Sequence, residues 1–302
     1  MLQSWNNRRR PRSLLSHKFP GSLREDCNRL DTSLGEERHR VKIRVLGCHG
    51  SDQLLDGNGP ARQCRPCAFL INDRVLLDAG TIGSRLTLAQ QKQITHVVLS
   101  HIHFDHIKDL PTLADNLVGE SSAPLVIAGI PETLHALHTH IFNSTVYPDF
   151  FHIPDAARPV LASHSLQSGQ EWAAAGLRIV PIKVNHQVPT VGFLISDEHS
   201  TILYSGDTYQ TDELWNAASS IRNLSAAFIE VSYPNSEANL ARQAKHLTPH
   251  LLGGEFRKIR RPDLPVYAYH LKPRFRAHIE TELQQLHLPH LSVLEEDIEL
   301  TF

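Results

Sequence analysis

The chain reads as an α/β protein, and three features of its 302 residues carry that reading. Short runs rich in β-branched and aliphatic residues recur along it, segments of helical character fall between them, and histidines and aspartates stand where the strand-like runs end. The first regular strand is Val41-Lys42-Ile43-Arg44-Val45-Leu46, whose alternation turns one face inward. Ala68-Phe69-Leu70-Ile71, Val75-Leu76-Leu77 and Ile94-Thr95-His96-Val97-Val98-Leu99 follow as further strands. Ile107 to Leu117 is predicted helical, and Pro124-Leu125-Val126-Ile127-Ala128 is a strand. Pro131 opens the next helix, through Phe142, in the first turn where its missing N–H costs nothing. The strands Leu177-Arg178-Ile179-Val180, Thr201-Ile202-Leu203 and Val266-Tyr267-Ala268-Tyr269 alternate with helices near 211–222, 236–245, 248–260 and 273–288. This order fits two βα halves.

Composition bounds the function. With 41% apolar and 21% charged residues the chain can bury a large core, and its formal net charge of −2 supplies no global basic field for nucleic acid. The basic stretch Arg257-Lys258-Ile259-Arg260-Arg261 reads as a solvated helix end. No apolar run approaches the roughly 20 residues of a membrane span. Four cysteines make no disulfide framework, and Cys64-Arg65-Pro66-Cys67 lacks the second pair that zinc-finger spacing requires. Reduced thiols and a cytoplasmic location are the expectation. Residues 1–24 carry Arg8, Arg9, Arg10, Arg12, Lys18 and Arg24 and no acidic residue, without the apolar core of a secretory signal. Residues 1–40 are therefore expected to be a disordered extension, and 41–302 the folded domain.

The chemistry concentrates in Ser100-His101-Ile102-His103-Phe104-Asp105-His106, three imidazoles and a carboxylate directly after a strand. In extended chain, side chains at i and i+2 point the same way, so His101 and His103 can grip one ion while Asp105 and His106 reach a second. Imidazole and carboxylate suit zinc, manganese or iron. His186, Asp207 and His270 each cap or closely follow a later predicted strand, where the catalytic groups of sheet enzymes collect. Together these residues describe a dinuclear metal site.

This pattern resembles the metallo-β-lactamase superfamily, whose members carry the His-x-His-x-Asp-His signature, here at 101–106, and an upstream Asp after a strand, here in Val75-Leu76-Leu77-Asp78-Ala79-Gly80. The resemblance covers roughly residues 41 to 302 and implies a metallo-β-lactamase-like four-layer αββα sandwich. Carried across, His101, His103 and His186 hold one metal ion, Asp105, His106 and His270 hold the other, and Asp207 bridges them. Asp78 is implied to orient the ligands through hydrogen bonds. Two divalent ions per chain, zinc foremost, with manganese or iron as alternatives, are the implied cofactors.

Within the superfamily the segments around His186 are similar to the phosphodiesterase branch, which includes tRNase Z and the class II 3′,5′-cyclic-nucleotide phosphodiesterases. Phe228-Ile229-Glu230-Val231-Ser232-Tyr233-Pro234-Asn235, His246-Leu247-Thr248-Pro249 and Tyr269-His270-Leu271-Lys272-Pro273 look like class II segments. The implied activity is hydrolysis of cyclic AMP or cyclic GMP to the 5′-monophosphate. Two dications about 3.5–4 Å apart lower the pKa of a bridging water and neutralise the phosphodiester oxygens. The resemblance also implies a proton donor to the leaving oxygen, His246, oriented by Glu230 that keeps its ring cationic. Asp105 stands among the catalytic residues. The loop Asn143–Phe151 resembles a class II segment too, so Tyr147 and Phe150 are candidate purine-stacking residues, with plain core packing of Phe150 and Phe151 as the equal alternative. The alternatives are a tRNase Z-like nuclease and, from another class, a non-catalytic metal-binding regulator. A small cyclic nucleotide is the expected partner, nucleic acid stays open as the alternative, no membrane is expected, and the resemblance allows a homodimer.

Overall fold

A computed structural model describes residues 41–55 and 62–302; the expected extension over 1–40 lies outside the described residues. In chain order the first half runs β1 (Lys42–Gly47), the ribbon β2 (Gln53–Leu55) and β3 (Arg62–Cys64), β4 (Ala68–Ile71), β5 (Val75–Leu77), α1 (Leu88–Gln91), β6 (His96–Val98), α2 (Phe104–Ile107), α3 (Leu110–Asn116), β7 (Leu125–Gly129), α4 (Pro131–Ala136) and β8 (Leu161–Ser165). The second half runs β9 (Trp172–Ala174), β10 (Leu177–Lys183), β11 (Val191–Ser196), β12 (Thr201–Tyr204), α5 (Glu213–Ser219), β13 (Leu224–Glu230), α6 (Ala238–Ala244), α7 (Pro249–Phe256), β14 (Val266–Tyr269), α8 (Arg276–Gln284), β15 (Leu291–Val293) and β16 (Glu299–Thr301).

Among the described residues fourteen of these strands form two seven-stranded sheets, ordered β16-β1-β4-β5-β6-β7-β8 and β15-β14-β13-β12-β11-β10-β9, and β2 pairs with β3 alone. In each, four successive strands pair in parallel, β5 to β8 and β12 to β15, with the helices as their crossovers. The last strand, β16, returns to the first sheet and pairs antiparallel with β1, Ile43 opposite Leu300.

Alternation along the strands sorts the core into layers. Val45, Phe69, Leu77 and Val98 of the first sheet meet Phe193, Tyr204 and Phe228 of the second in one buried cluster between the sheets. Their strand neighbours Leu46, Leu70, Leu76 and Val97 face the opposite way, into a second cluster with Leu110 and Leu113 of α3 and Leu134 of α4. Leu203, Ala227 and Ile229 face a third with Leu214 and Trp215 of α5, Leu252 of α7 and Ile279 of α8. The result is the four-layer αββα sandwich.

One predicted element starts later than expected. The helix expected over Ile107 to Leu117 is α3, and the short α2 before it stays separate because Pro111 has no N–H for the Ile107 carbonyl and its ring clashes there. Asp109 fills the break, its Oδ2 accepting from the Ile82 and Gly83 amides at 2.6 and 3.1 Å. This turns α2, which carries Asp105 and His106, independently of α3.

The parallel strands bring their carboxyl ends to common edges, where ligands of α/β folds bind. Asp78 follows β5, His101 follows β6, Asp207 follows β12 and His270 follows β14; His186 follows β10. Gly80 lets the loop after β5 press against α2: a Cβ there would stand 2.1 Å from the Asp105 carbonyl oxygen.

Candidate metal centre

Seven side chains drawn from four stretches of chain converge. His101, His103, His186 and Asp207 present ligand atoms within 4.8 Å of one another, and so do Asp105, His106 and His270. Asp207 Oδ2 touches both sets: it lies 3.3 Å from His270 Nε2, 3.4 Å from His106 Nε2, 3.7 Å from His101 Nε2 and 4.0 Å from His186 Nε2. The expected bridging carboxylate is thus central in space. All but His103 and Asp105, which are half-buried, are buried.

The hydrogen-bond pattern aims the rings. A carbonyl or carboxylate only accepts, so a ring nitrogen bonded to one must carry the proton, and the other nitrogen is left with its lone pair. His106 Nδ1–H donates to Asp78 Oδ2 at 2.8 Å, and His186 Nδ1–H donates to the Lys245 carbonyl at 3.0 Å. His101 Nδ1 meets Ser100 Oγ at 3.0 Å, a hydroxyl whose own proton goes to Asp78 Oδ2. His270 Nδ1 meets Ser232 Oγ at 2.8 Å, and that hydroxyl donates to Glu230 Oε2. Four Nε2 atoms are therefore left facing the centre. His103 instead turns Nδ1 inward, 3.1 Å from His186 Nε2.

These residues fit divalent metal ions. His101 Nε2 and Asp207 Oδ1 are buried with no hydrogen-bond partner, a costly arrangement unless something binds them. The separations of 3.3 Å between His106 Nε2 and His270 Nε2 and 3.4 Å from His270 Nε2 to Asp105 Oδ2 match the edge of a tetrahedron with bonds of about 2.0–2.1 Å, roughly 3.4 Å. The donors, imidazole nitrogen and carboxylate oxygen, are those zinc, manganese and iron take.

The electrostatics have the same cause. Burial disfavours the charged form of His101 and holds it well below its ordinary value. Burial, with the neighbouring His246 adding to it, pulls His186 to about 4 against the opposing charge of Asp207. For Asp207 burial works the other way, but the surrounding His270 and His106 hold its carboxyl well below the usual range. Asp207 is an anion ringed by imidazole nitrogens, the charge pattern a cation completes.

Asp78 is the anchor of this network. It is fully buried, its Oδ1 accepting from the Ser100 amide at 2.8 Å. Its Oδ2 accepts from Ser100 Oγ at 2.9 Å, His106 Nδ1 at 2.8 Å and Tyr204 Oη at 2.7 Å. Its backbone holds φ of 55°, a left-handed conformation in which a non-glycine residue is strained.

Residues 73–264 match the family described as beta-lactamase superfamily domain. The chain belongs to that superfamily. Among its relatives, ribonuclease Z of Mycobacterium bovis (strain BCG / Pasteur 1173P2) is 28% identical over 188 residues, 58% of this chain and 65% of the relative. Ribonuclease Z of Metallosphaera sedula is 26% identical over 155 residues, 49% of this chain and 48% of the relative. The match thus spans between about half and 65% of these relatives' length. Similar solved structures are unliganded yeast PDE1 (TM-score 0.72, 17% identity, 87% of this chain and 99% of that one) and the short form of human tRNase Z (0.61, 15%, 86% and 98%). At these identities the likeness is one of fold.

In this β-lactamase superfamily chain a second buried unit adjoins the ligands. Glu230 Oε1 lies 2.8 Å from His246 Nδ1 and accepts from the Thr208 amide at 3.0 Å, fixing the carboxyl group beside the Asp207 turn. The His246 ring stacks on His270, centroids 5.4 Å apart, and crosses His186 at 5.0 Å. Asp207, His246 and His270 also offer ligand atoms within 4.8 Å of one another. His246 is 6% exposed, so it is no surface histidine. The expectation of a cationic His246 ring needs correction: burial pulls it to about 4, while burial and the Asp207 charge push Glu230 up to about 8. Both shifts favour the neutral partners.

Other expectations fall elsewhere. Phe150 is 3% exposed and packs in the core against Phe142, Phe151 and Tyr147, so it has no free face for a purine, and Tyr147 is partly buried against it. Their aromatic loop serves packing. Cys64 and Cys67 are buried free thiols, and burial raises Cys67 well above its ordinary value, which suppresses thiolate chemistry. Among the described residues no helix is long and apolar enough to cross a membrane. Ser100, Tyr204, Ser232 and Lys245 were not singled out from the sequence. Ser232 lies within the motif that carries Glu230, and Ser100 abuts His101, so adjacency was the available signal; for Tyr204 and Lys245 there was none.

Proposed function

We infer that the chain is a dinuclear-metal phosphodiesterase that opens 3′,5′-cyclic nucleotides, cyclic AMP or cyclic GMP, to 5′-monophosphates. The observation that carries the reading is the Glu230–His246 pair, buried and packed against His186 and His270. A binding or regulatory centre has no use for a buried proton carrier beside its ligands; hydrolysis of an alkyl phosphodiester does, because the departing sugar oxygen must be protonated.

His101, His103 and His186 would hold one ion and Asp105, His106 and His270 the other, with Asp207 shared. The bound ions would supply an activated water and charge neutralisation for the phosphodiester. The chain's own part is positional. Asp78, Ser100, Ser232 and the Lys245 carbonyl fix each ring's tautomer and direction. Protonated Glu230 would pass its proton to His246 Nδ1 across their 2.8 Å contact as His246 Nε2–H gives its own proton to the leaving oxygen.

A tRNase Z-like nuclease is the second reading, favoured by the ribonuclease Z relatives at 26–28% identity. Against it stands the net charge of −2, where an RNA-binding enzyme gains from a basic surface. The first reading also has the class II-like segments at 228–235, 246–249 and 269–273 in its favour. Turnover of cyclic AMP and of a precursor tRNA, measured side by side on metal-loaded protein with Asp105→Ala as control, decides between them. Chelator-sensitive 5′-AMP formation absent from the mutant supports the first; cleavage of the tRNA 3′ trailer alone replaces it with the second.

A further inference from the structure

We propose that the cavity beside His186 seats the nucleoside of the substrate, with Lys183, Asn185 and Gln187 as its polar contacts; this rests on the phosphodiesterase reading above. The cavity has a volume of about 600 Å³, within the range of small-molecule sites. It lies where the strand ends of the two sheets meet. Ile130 at the end of β7 and Leu166 after β8 form one wall, the segment from Lys183 to Val191 forms the other, and Lys245 closes one end. His186 belongs both to this lining and to the ligand cluster. A phosphodiester centred on the cluster therefore projects its substituent into the cavity.

The lining suits a nucleoside. Leu166, Val184 and Val188 give apolar surface for the flat face of a base. Asn185 and Gln187 flank His186, and each has its amide nitrogen already engaged: Nδ2 donates to the Gln210 carbonyl at 3.0 Å and Nε2 to the Gln243 carbonyl at 2.9 Å. Both side chains are thereby fixed, and their amide oxygens remain as acceptors for the N–H and O–H donors of base and ribose. Lys183 is exposed on the lining and brings a cation to ring nitrogens and phosphate oxygens.

The test compares wild type, Val188→Trp, which fills the cavity, and Lys183→Ala, which only trims it. Each is assayed on 3′,5′-cyclic AMP and on bis(p-nitrophenyl) phosphate, which has no nucleoside, and for 5′-AMP binding by calorimetry. Val188→Trp is expected to raise KM for cyclic AMP about tenfold more than for the nitrophenyl diester, and Lys183→Ala about threefold more, the signature of lost uniform binding. Both weaken 5′-AMP binding in the same order. Losses of equal size on the two diesters, or variants that match wild type on cyclic AMP, overturn the cavity assignment and leave the phosphodiesterase reading standing. A wild type that hydrolyses neither diester removes that reading instead. The cavity is then judged by 5′-AMP binding, which Val188→Trp abolishes if the nucleoside sits there and spares if it does not.

Discussion

His186 and Lys245 hold each other twice: the ring Nδ1–H donates to the Lys245 carbonyl and the Lys245 ammonium donates to the His186 carbonyl, each at 3.0 Å. Gln187 adds a third bond to the Gln243 carbonyl. Lys245 makes this possible by taking a left-handed φ of 55° at the end of α6, which ends the helix and places His246 next in line. One residue therefore positions a proposed ligand and the proposed proton donor together. Lys245→Met keeps the carbonyl but loses the ammonium bond. The expected result is a loss of metal affinity of about tenfold, the lower end for partners of a ligating histidine, read by competition titration with a chromophoric chelator.

Asp78 accepts four hydrogen bonds while fully buried. Asp78→Asn keeps the shape but turns one acceptor into a donor, which faces the protons of Ser100, Tyr204 or His106. Metal content should fall and affinity drop by about 10–100-fold. The melting temperature of the metal-free protein should fall as well, since a half-satisfied buried network is destabilising in its own right. Unchanged metal-free stability would sink the network argument.

Much of the fold and of the candidate ligand set was legible because the residues concerned are marked by local sequence. His101 to His106 announce themselves by spacing, and Asp78, Asp207 and His270 by standing at strand ends. The supporting partners were not legible, because they are set by contacts between distant stretches. Tyr204 reaches Asp78 across 126 positions, and Lys245 reaches His186 across 59. The aromatic loop stayed open for a related reason: Phe150 is as apolar in sequence whether it meets a base or Phe142, and only its seat in the buried cluster decides.

That packing has its own consequence. Phe150→Ala opens a void in a buried cluster and is expected to cost about 3–5 kcal/mol of stability. Urea denaturation should show it, with KM for any diester substrate affected equally or not at all. A selective rise in KM for a nucleotide would return Phe150 to the binding surface.

Glu296 gives a pH dependence away from the metal centre. Burial opposes its charge, but bonds from His49 Nδ1 at 2.9 Å and from Arg65 at 2.7 Å hold it below its ordinary 4.5. A carboxyl depressed on folding stabilises the protein fully above its unfolded value and loses that contribution as pH falls through the folded value. The stability gap between wild type and Glu296→Gln should thus be widest above pH 4.5 and shrink below it, measured by denaturant midpoints across an acid series.

The proton-donor role of His246 makes a prediction that depends on the leaving group. An alkoxide leaves with a proton in hand; a nitrophenolate leaves without one. His246→Ala should therefore slow cyclic nucleotide hydrolysis by about 10²–10⁴-fold while sparing a nitrophenyl diester, with bound metal unchanged. Glu230→Gln keeps a hydrogen bond to Nδ1 but cannot share the proton, and should reproduce the same selectivity in weaker form. The ring also stands with Asp207 and His270 at ligand distance, so metal content is the arbiter. Loss of metal, or equal slowing on both leaving groups, would make His246 a ligand and leave the acid to be found elsewhere.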